Sequence, residues 1–403
     1  MRLSLGRSLC LLALAACADS TAITAHPPDD THSRHAPGGA NDAGPTATLT
    51  PNAAELAPAM TRMEWLFGGN IARVALPPDE YSRSADAVHP DISCPGAAWN
   101  ARRCWLMYTP YHNGDNNYEN PGLLFAASDT LWATPPDIHN PLVPYPGPAR
   151  YNSDPDHVFD PATGRMVQVY RVVADASNYI MLMSTADAVH WTKPVVAFRE
   201  PMHDAVSPAL VIDGDRRARM WYVQAGRLGC DAGSSTVALR TAMPGPDSTY
   251  EHATWSAPVA VTMTIPKYII WHLDVMPLSA NRGFLALIAA FPRGANCANS
   301  DLWIAWSGDG VQWTTYAIPI LWRTMQAARA RRIDTWYRGT MYEDSTAGRL
   351  HLWPSALAQG AWTIYHTSVK LDDLLALLRS AQPADFQPAL LAKTNRTRVV
   401  EMP

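Results

Sequence analysis

The sequence carries little charge and no excess of basic residues. Asp, Glu, Lys and Arg make up 17% of the 403 residues, and 32 basic against 36 acidic side chains leave a net charge of −4. Proteins that bind nucleic acids neutralise phosphates with clustered Lys and Arg. This balance argues against a nucleic-acid partner. Hydrophobic residues nonetheless form 47% of the chain, which is enough for a folded core.

Long apolar runs are also missing. Beyond the amino terminus, no apolar run is long enough to span a bilayer. Arg2 and Arg7 precede a short apolar run from Leu9 to Ala16, which is typical of an export signal. The ending Leu14-Ala15-Ala16-Cys17 resembles the lipobox of bacterial lipoproteins, with an ordinary cleaved signal as the alternative. We therefore expect residues 1–17 to be a lipoprotein signal and Cys17 to be lipidated. The protein would then be anchored in the bacterial cell envelope, facing the periplasm or the cell surface.

Residues 18–60 are rich in Ala, Pro, Thr, Asp and His and show no hydrophobic period. This composition predicts a flexible tether.

Cysteine is scarce, with six residues in the whole chain. Cys94, Cys104, Cys230 and Cys297 follow the signal, and an even number in an exported protein favours disulfides. The short loop between Cys94 and Cys104 suggests that they pair, which leaves Cys230 for Cys297. No CxxC or Cys/His spacing indicates a zinc site, so no metal ligand or cofactor is predicted.

Tryptophan, in contrast, is plentiful and recurs at a roughly regular spacing. The stretch Trp303–Trp313 contains strand-like residues, a Gly308-Asp309-Gly310 turn and a closing tryptophan, and weaker copies occur upstream. The closing residues are Trp132, Trp191, Trp255, Trp313 and Trp362. One aromatic turn in each of five β-rich units indicates an all-β fold, a five-bladed β-propeller over residues 61–370.

The sequence also predicts the structure at the two ends of this propeller. Residues 65–76 are expected to supply a strand that closes the ring with the last blade. Leu371 to Arg379 have helical spacing, so the extension 371–403 should begin with a short helix.

Each unit opens with a strand that should line the central channel. The openings are His89-Pro90-Asp91, Asp154-Pro155-Asp156, Ser207-Pro208-Ala209, His272-Leu273-Asp274 and Arg338-Gly339-Thr340. Since residues i and i+2 share one face of a strand, we expect a single pocket. Its predicted catalytic residues are Asp91, Asp154, Asp156 and Asp274, and its predicted substrate-binding residues are His89, His272, Trp271 and Arg338. A structural interpretation competes, because Asp and Pro are common at turns.

These features resemble the five-bladed glycosidase superfamily of arabinanases, β-xylosidases, levansucrases and invertases. The resemblance rests on the five units, the Ser307–Trp313 turn and the Asp154-Pro155 dipeptide. It implies that Asp154 is the supporting carboxylate of the second blade and that Asp91 replaces a first-blade aspartate. The third-blade proton donor falls on Val206, which cannot donate. A substitute would have to come from Asp204, Glu119, Glu343 or the nearby His203.

We therefore expect a surface-tethered, glycoside hydrolase-like protein, monomeric, that acts on a poly- or oligosaccharide through channel-facing carboxylates. A non-catalytic carbohydrate-binding lipoprotein is the alternative, and Val206 favours it. The Ser307 turn also resembles the Asp-box of sialidases, although five units and one opening-strand arginine argue against that family. A scaffold that binds protein partners and a structural calcium ion in the channel are both left open.

Overall fold

The computed structural model describes residues 53–381. The predicted signal with Cys17, most of the predicted tether and the end of the carboxyl-terminal extension lie outside the described residues.

Five four-stranded antiparallel sheets make up this part of the chain, as a five-bladed β-propeller requires. The strands of the first two sheets are β2 (Ala87–Ser93), β3 (Trp105–Pro110), β4 (Gly122–Ser128), β5 (Leu131–Ala133), β6 (Tyr151–Asp160), β7 (Arg165–Ala174), β8 (Ser177–Thr185) and β9 (Val195–Pro201). Those of the next two are β10 (Val206–Ile212), β11 (Ala218–Gln224), β12 (Thr236–Ala242), β13 (Val259–Val261), β14 (Tyr268–Pro277), β15 (Phe284–Pro292), β16 (Asp301–Ser307) and β17 (Trp313–Thr315). The fifth contains β18 (Ile333–Asp344), β19 (Arg349–Ala358), β20 (Ala361–Lys370) and the early strand β1 (Ala72–Arg73).

The predicted ring closure is confirmed. β18, β19 and β20 leave the outer edge of β20 unpaired, and β1 pairs with that edge. Ala75, just after β1, forms a bridge with Leu131 of the first blade. The first blade and the last are therefore joined by the same short segment, which removes an exposed sheet edge.

Within residues 53–381, three α-helices accompany the propeller: α1 (Ala53–Gly68), α2 (Gln326–Arg331) and α3 (Leu371–Ser380). The helix α3 was predicted, but α1 was not, and it occupies the end of the expected tether and part of the expected closing strand. Its buried Ala59, Met63 and Phe67 are four residues apart and belong to the same core cluster as Leu374 and Leu378 of α3. This spacing is helical, but Pro58 and the small residues around it obscured the pattern. None of the helices in residues 53–381 is both long and apolar enough to cross a membrane.

The recurring tryptophan turn joins neighbouring blades. Asp309 Oδ1 accepts hydrogen bonds from the backbone N–H groups of Val311 and Gln312, at 2.8 Å each. The Gly310 carbonyl accepts from Trp313 Nε1 of its own blade and from Trp221 Nε1 of the preceding blade. Because both indoles are buried, this turn packs the blades together.

Both predicted disulfides are confirmed, Cys94–Cys104 and Cys230–Cys297. The first connects β2 with the residue before β3, and the second connects the region after β11 with that after β15. The longer-range pair therefore links the third and fourth blades.

The inner strands β2, β6, β10, β14 and β18 are joined around the channel by one recurring hydrogen bond. In four of these five strands, a side chain accepts from a backbone N–H of the next inner strand, at the residue that follows the equivalent position. The pairs are Asp91 with His157 (2.7 Å), Asp156 with Leu210 (2.9 Å), Asp274 with Met341 (3.1 Å) and Thr340 with Ile92 (3.2 Å). In the third blade the corresponding residue is Ala209, and Ser207 instead accepts from Leu273 N–H at 3.2 Å and donates to its carbonyl at 2.8 Å.

We expect Thr340→Val to lower the free energy of unfolding by about 1–3 kcal/mol, because the buried N–H of Ile92 would lose its acceptor. The two side chains are similar in shape, so packing changes little. Urea denaturation followed by tryptophan fluorescence measures the difference. Thr346→Val, at an exposed position, is the control and should stay within about 0.5 kcal/mol of the wild type. Equal stability of the two variants would contradict a structural role for this bond.

Candidate functional site

The sequence predicted a single pocket, but the structure places its side chains in two clusters at different depths in the channel. Residues i and i+2 share a face, but they are about 6.6 Å apart along a strand. The inner strands therefore carry equivalent positions in successive rings. His89, Asp154 and His272 form the upper cluster, and Asp91, Asp156 and Asp274 form the lower cluster.

The ladder between inner and second strands is also interrupted at these positions. Register shifts separate Val88 from Asp91 and Ser153 from Asp156. A proline has no N–H to donate to the ladder, and the residues before the two prolines, His89 and Asp154, have φ of 51° and 48°. These left-handed conformations are unusual for residues other than glycine and lower the stability of the fold. Such strained residues are often found at functional sites.

The side chains of the upper cluster are close enough to bind one ion. His89 Nε2 lies 3.2 Å from Asp154 Oδ1, and His272 Nδ1 lies 3.6 Å from the same oxygen. All three residues are at most 3% exposed. His89 Nε2, Asp154 Oδ1 and both nitrogens of His272 have no hydrogen-bond partner among the described residues. Buried polar atoms are rarely left unsatisfied, so these atoms have the geometry of ligands for one bound ion.

The rest of the site fixes the orientation of Asp154. Its Oδ2 atom lies 2.9 Å from Arg171 Nε and accepts from Ser207 N–H at 3.2 Å. Although burial raises the pKa of Asp154, the charge of Arg171 outweighs this effect and holds the pKa well below the usual range. Burial also lowers the pKa of His89 to about 3 and that of His272 well below its usual value. The cluster thus combines one carboxylate with two neutral imidazoles, the donor set of many zinc and other transition-metal sites.

Glu119 reaches the upper cluster from the loop between β3 and β4. Its Oε2 atom lies 3.4 Å from His89 Nδ1 and accepts a short hydrogen bond from Ser153 Oγ. The next residue, Asn120, accepts from Asn152 at 2.9 Å, which holds the loop on β6. Burial raises the pKa of Glu119 to about 8, and the Ser153 bond only partly opposes this. A carboxyl group able to carry a proton therefore adjoins an ionised carboxylate.

Aromatic side chains lie beside the upper cluster. The ring of Tyr337 is 4.4 Å from that of His272, and Trp362 and then Tyr111 continue the series at 5.1 and 5.5 Å. These three are only partly buried. Trp271, predicted to bind substrate, is 6% exposed and donates its indole N–H to Tyr337 at 2.9 Å. It therefore orients an aromatic surface of the kind that stacks on sugar rings.

The lower cluster is built differently, because its carboxylates already accept the hydrogen bonds that join the blades. Arg338 belongs to it, with Nη2 at 3.0 Å from Asp156, and His157 lies 2.5 Å from Asp91. Burial and the charge of Asp91 raise the pKa of Asp274 to about 7 and that of Asp156 well above its usual value. A cavity of about 360 Å³ adjoins this cluster. The catalytic role of Asp91, Asp156 and Asp274 and the substrate-binding role of Arg338 stay predictions.

Of the four suggested substitutes for the missing proton donor, Glu119 is the one in contact with the upper cluster. Asp204, before β10, accepts from the N–H of Gly226, after β11, and Glu343 contacts Ser279 and Arg282. His203 lies farther out, with its ring 6.4 Å from that of Trp271. The sequence interpretation missed Arg171, Ser153 and Tyr337. Arg171 had a detectable signal, since it interrupts the apolar run of β7.

Comparison with known proteins found similarity in sequence and in fold. No protein-family model matches the sequence. A curated relative, the A type blood N-acetyl-α-D-galactosamine deacetylase of Flavonifractor plautii, is 27% identical over 282 residues, 59% of this chain and 36% of that protein. The chain thus spans little more than a third of that relative.

Solved structures share the architecture. An N-acetylgalactosamine deacetylase from F. plautii, in complex with blood group B trisaccharide, has a TM-score of 0.67 at 22% identity over 77% of this chain and 97% of its own. A xylan β-1,4-xylosidase from Bacillus halodurans has a TM-score of 0.53 at 10% identity, covering 73% of this chain and 54% of its own. A thermostable family-43 glycoside hydrolase has a TM-score of 0.50 at 13% identity over 73% and 91%.

The chain has the fold of a five-bladed β-propeller, which these solved enzymes share. Within this propeller, the upper cluster is the place where unsatisfied polar atoms, a protonatable carboxyl group and aromatic surfaces meet.

We expect Arg171→Met to destabilise the propeller by about 3–5 kcal/mol, because it leaves the buried charge of Asp154 without its partner. Adding Asp154→Asn should recover most of the loss, since the remaining group is then neutral. Urea denaturation in the presence of a chelator measures both variants without interference from metal ions. Arg150→Met, at an exposed ion pair with Asp175, is the control. A double variant no more stable than Arg171→Met would contradict the pairing.

Proposed function

We propose that the upper cluster is the active site of a metal-dependent hydrolase that removes the N-acetyl group from an amino sugar of an oligo- or polysaccharide. The observation that carries this proposal is the convergence of His89 Nε2, Asp154 Oδ1 and His272 on one buried point, without other partners. A glycosidase has no need of two neutral imidazoles at its carboxylate, whereas a metal site does.

His89, Asp154 and His272 would hold a divalent ion such as Zn²⁺. Such an ion polarises a carbonyl group and lowers the pKa of a water molecule. Three protein ligands leave coordination positions open, which is typical of catalytic rather than structural zinc sites. Arg171 and Ser207 N–H hold the other oxygen of Asp154, as outer-shell partners of metal ligands commonly do.

The remaining residues handle the proton and the sugar. Hydrolysis of the amide joins the water oxygen to the acetyl carbon and breaks the carbon–nitrogen bond, which yields acetate and a free amine. The leaving nitrogen must gain a proton, and Glu119 is the carboxyl group positioned beside His89 to transfer it. Tyr337, Trp362 and Tyr111 offer aromatic faces to the sugar ring.

The relatives support the substrate class. A protein named as an N-acetyl-α-D-galactosamine deacetylase is similar to this chain in sequence, and a solved N-acetylgalactosamine deacetylase is similar in structure over 77% of this chain. We therefore propose a terminal N-acetylhexosamine, with N-acetylgalactosamine as the first candidate.

Hydrolysis of a glycosidic bond is the second candidate. It is favoured by the opposite pKa shifts of Glu119 and Asp154, which suit a proton donor and a base. In that mechanism Glu119 would replace the donor absent at Val206. A protein that only binds carbohydrate needs no proton donor. The presence of Glu119 therefore makes a purely carbohydrate-binding role the weaker proposal.

The deciding experiment incubates the protein and Zn²⁺ with α-linked N-acetylgalactosaminides, and measures released acetate and released sugar separately. We expect acetate without cleavage of the glycosidic bond. His272→Ala should lower kcat/KM more than about 100-fold, because outer-shell changes alone cost about 10- to 100-fold. Glu119→Gln should cost about 10²- to 10⁴-fold through loss of proton transfer. His190→Ala, at an exposed histidine, is the control.

Two results would reject this proposal. Sugar released in place of acetate would favour the glycosidase mechanism. Full activity after prolonged dialysis against a chelator would exclude a role for a metal ion.

We also propose that the protein is exported as a monomer and anchored to the envelope through Cys17, a location consistent with its two disulfides. Expressed in a bacterium, the wild type should fractionate with membranes, and Cys17→Ser should not. Equal membrane association of the two would argue for an ordinary signal.

A further inference from the structure

A third group of potential metal ligands lies far from the channel, where the last blade meets the first. His351 is on β19, His366 is on β20, and Asp129 is in the turn between β4 and β5. We call Asp129, His351 and His366 the seam cluster. It belongs to the same junction that β1 closes, and the proposed reaction makes no use of it.

The distances within the seam cluster suit a tetrahedral ion. His351 Nδ1 lies 3.1 Å from His366 Nε2 and 3.8 Å from Asp129 Oδ2. Nitrogen and oxygen ligands bind Zn²⁺ at about 2.0–2.1 Å, so adjacent ligands of a tetrahedral site are about 3.3 Å apart. The observed distances lie on either side of this value. All three ligand atoms lie within 4.8 Å of one another, so small side-chain rotations would bring them into range.

Packing holds the two imidazoles in place. The ring of His351 stacks on Trp353, with centroids 5.7 Å apart and planes 18° apart, and on His366 at 5.3 Å and 26°. Trp353 also donates its indole N–H to the backbone oxygen of Asp129 at 2.9 Å. One tryptophan thus positions all three residues, as outer-shell contacts do in metal sites.

The cluster is also accessible. The Asp129 side chain is 61% exposed, whereas that of His351 is 14% exposed. An ion could therefore enter from solvent, and water could complete its coordination. Two largely buried imidazoles and one exposed carboxylate are ligands that Zn²⁺ prefers, whereas Ca²⁺ and Mg²⁺ prefer oxygen ligands alone.

We propose that Asp129, His351 and His366 bind a Zn²⁺-class transition-metal ion that fastens the last blade to the first. Because the three ligands come together only in the closed ring, the ion would bind the folded state and stabilise it. The site is independent of the proposed deacetylase chemistry.

The test uses the full chain with His89→Ala and His272→Ala, so that the upper cluster cannot contribute. Calorimetric titration with ZnCl₂ should give one bound ion per chain. At a free concentration of 100 times Kd, the melting temperature should rise by about 4 °C. Titration with Co²⁺ should produce the visible absorption bands of a tetrahedral site.

Asp129→Asn and His351→Gln in the same background should each weaken binding at least about tenfold and reduce the Co²⁺ bands. Asp129→Asn is at the surface and should leave the metal-free melting temperature unchanged, so a folding defect cannot explain its effect. His252→Ala, at an exposed Asp/His pair, is the matched control and should bind normally. No stoichiometric binding, or binding unaffected by Asp129→Asn and His351→Gln, would overturn the proposal. In a chain with an intact upper cluster, Asp129→Asn should not change acetate release, which separates this test from that of the proposed function.

Discussion

The hydrogen bond from each inner strand to the backbone of the next is the constraint on which the rest of the propeller depends. Five sheets pack around a channel, and the buried backbone N–H groups of the inner strands need hydrogen-bond partners there. A side chain from each blade supplies such a partner to the next blade. The polar residues of the channel are therefore first a structural requirement. Only residues whose polar atoms take no part in these hydrogen bonds are free to bind a ligand.

This division separates two clusters of similar composition. In the lower cluster, Asp91, Asp156 and Asp274 accept bonds that hold the blades together. In the upper cluster, one oxygen of Asp154 is held by Arg171 and Ser207, and the other is free beside two histidines. The free atoms, rather than the number of carboxylates, distinguish a site that could bind an ion from one that supports the fold.

The blade number, the strands within each blade, the disulfides and α3 could all be predicted from the sequence, because each leaves a local or periodic signal. The roles of the two clusters could not be predicted. Residues i and i+2 share a face at different depths, but this spacing does not show which of the two rings accepts the hydrogen bonds between blades. The left-handed residues before the prolines also interrupt the regular strand. Glu119 was one of several candidates for the same reason, since a loop residue gains its position only from tertiary contacts such as Asn120 with Asn152.

The pairing of β1 with β20 has a consequence for how this chain comes to be folded. The two strands are nearly 300 residues apart, so the first strand to be synthesised is the last to find its partner. During synthesis, the four sheets from β2 to β17 can form one after another, but the last sheet stays incomplete until β18, β19 and β20 have been made. Until then the ring is an open arc with an unpaired edge, and a truncated chain can never close it.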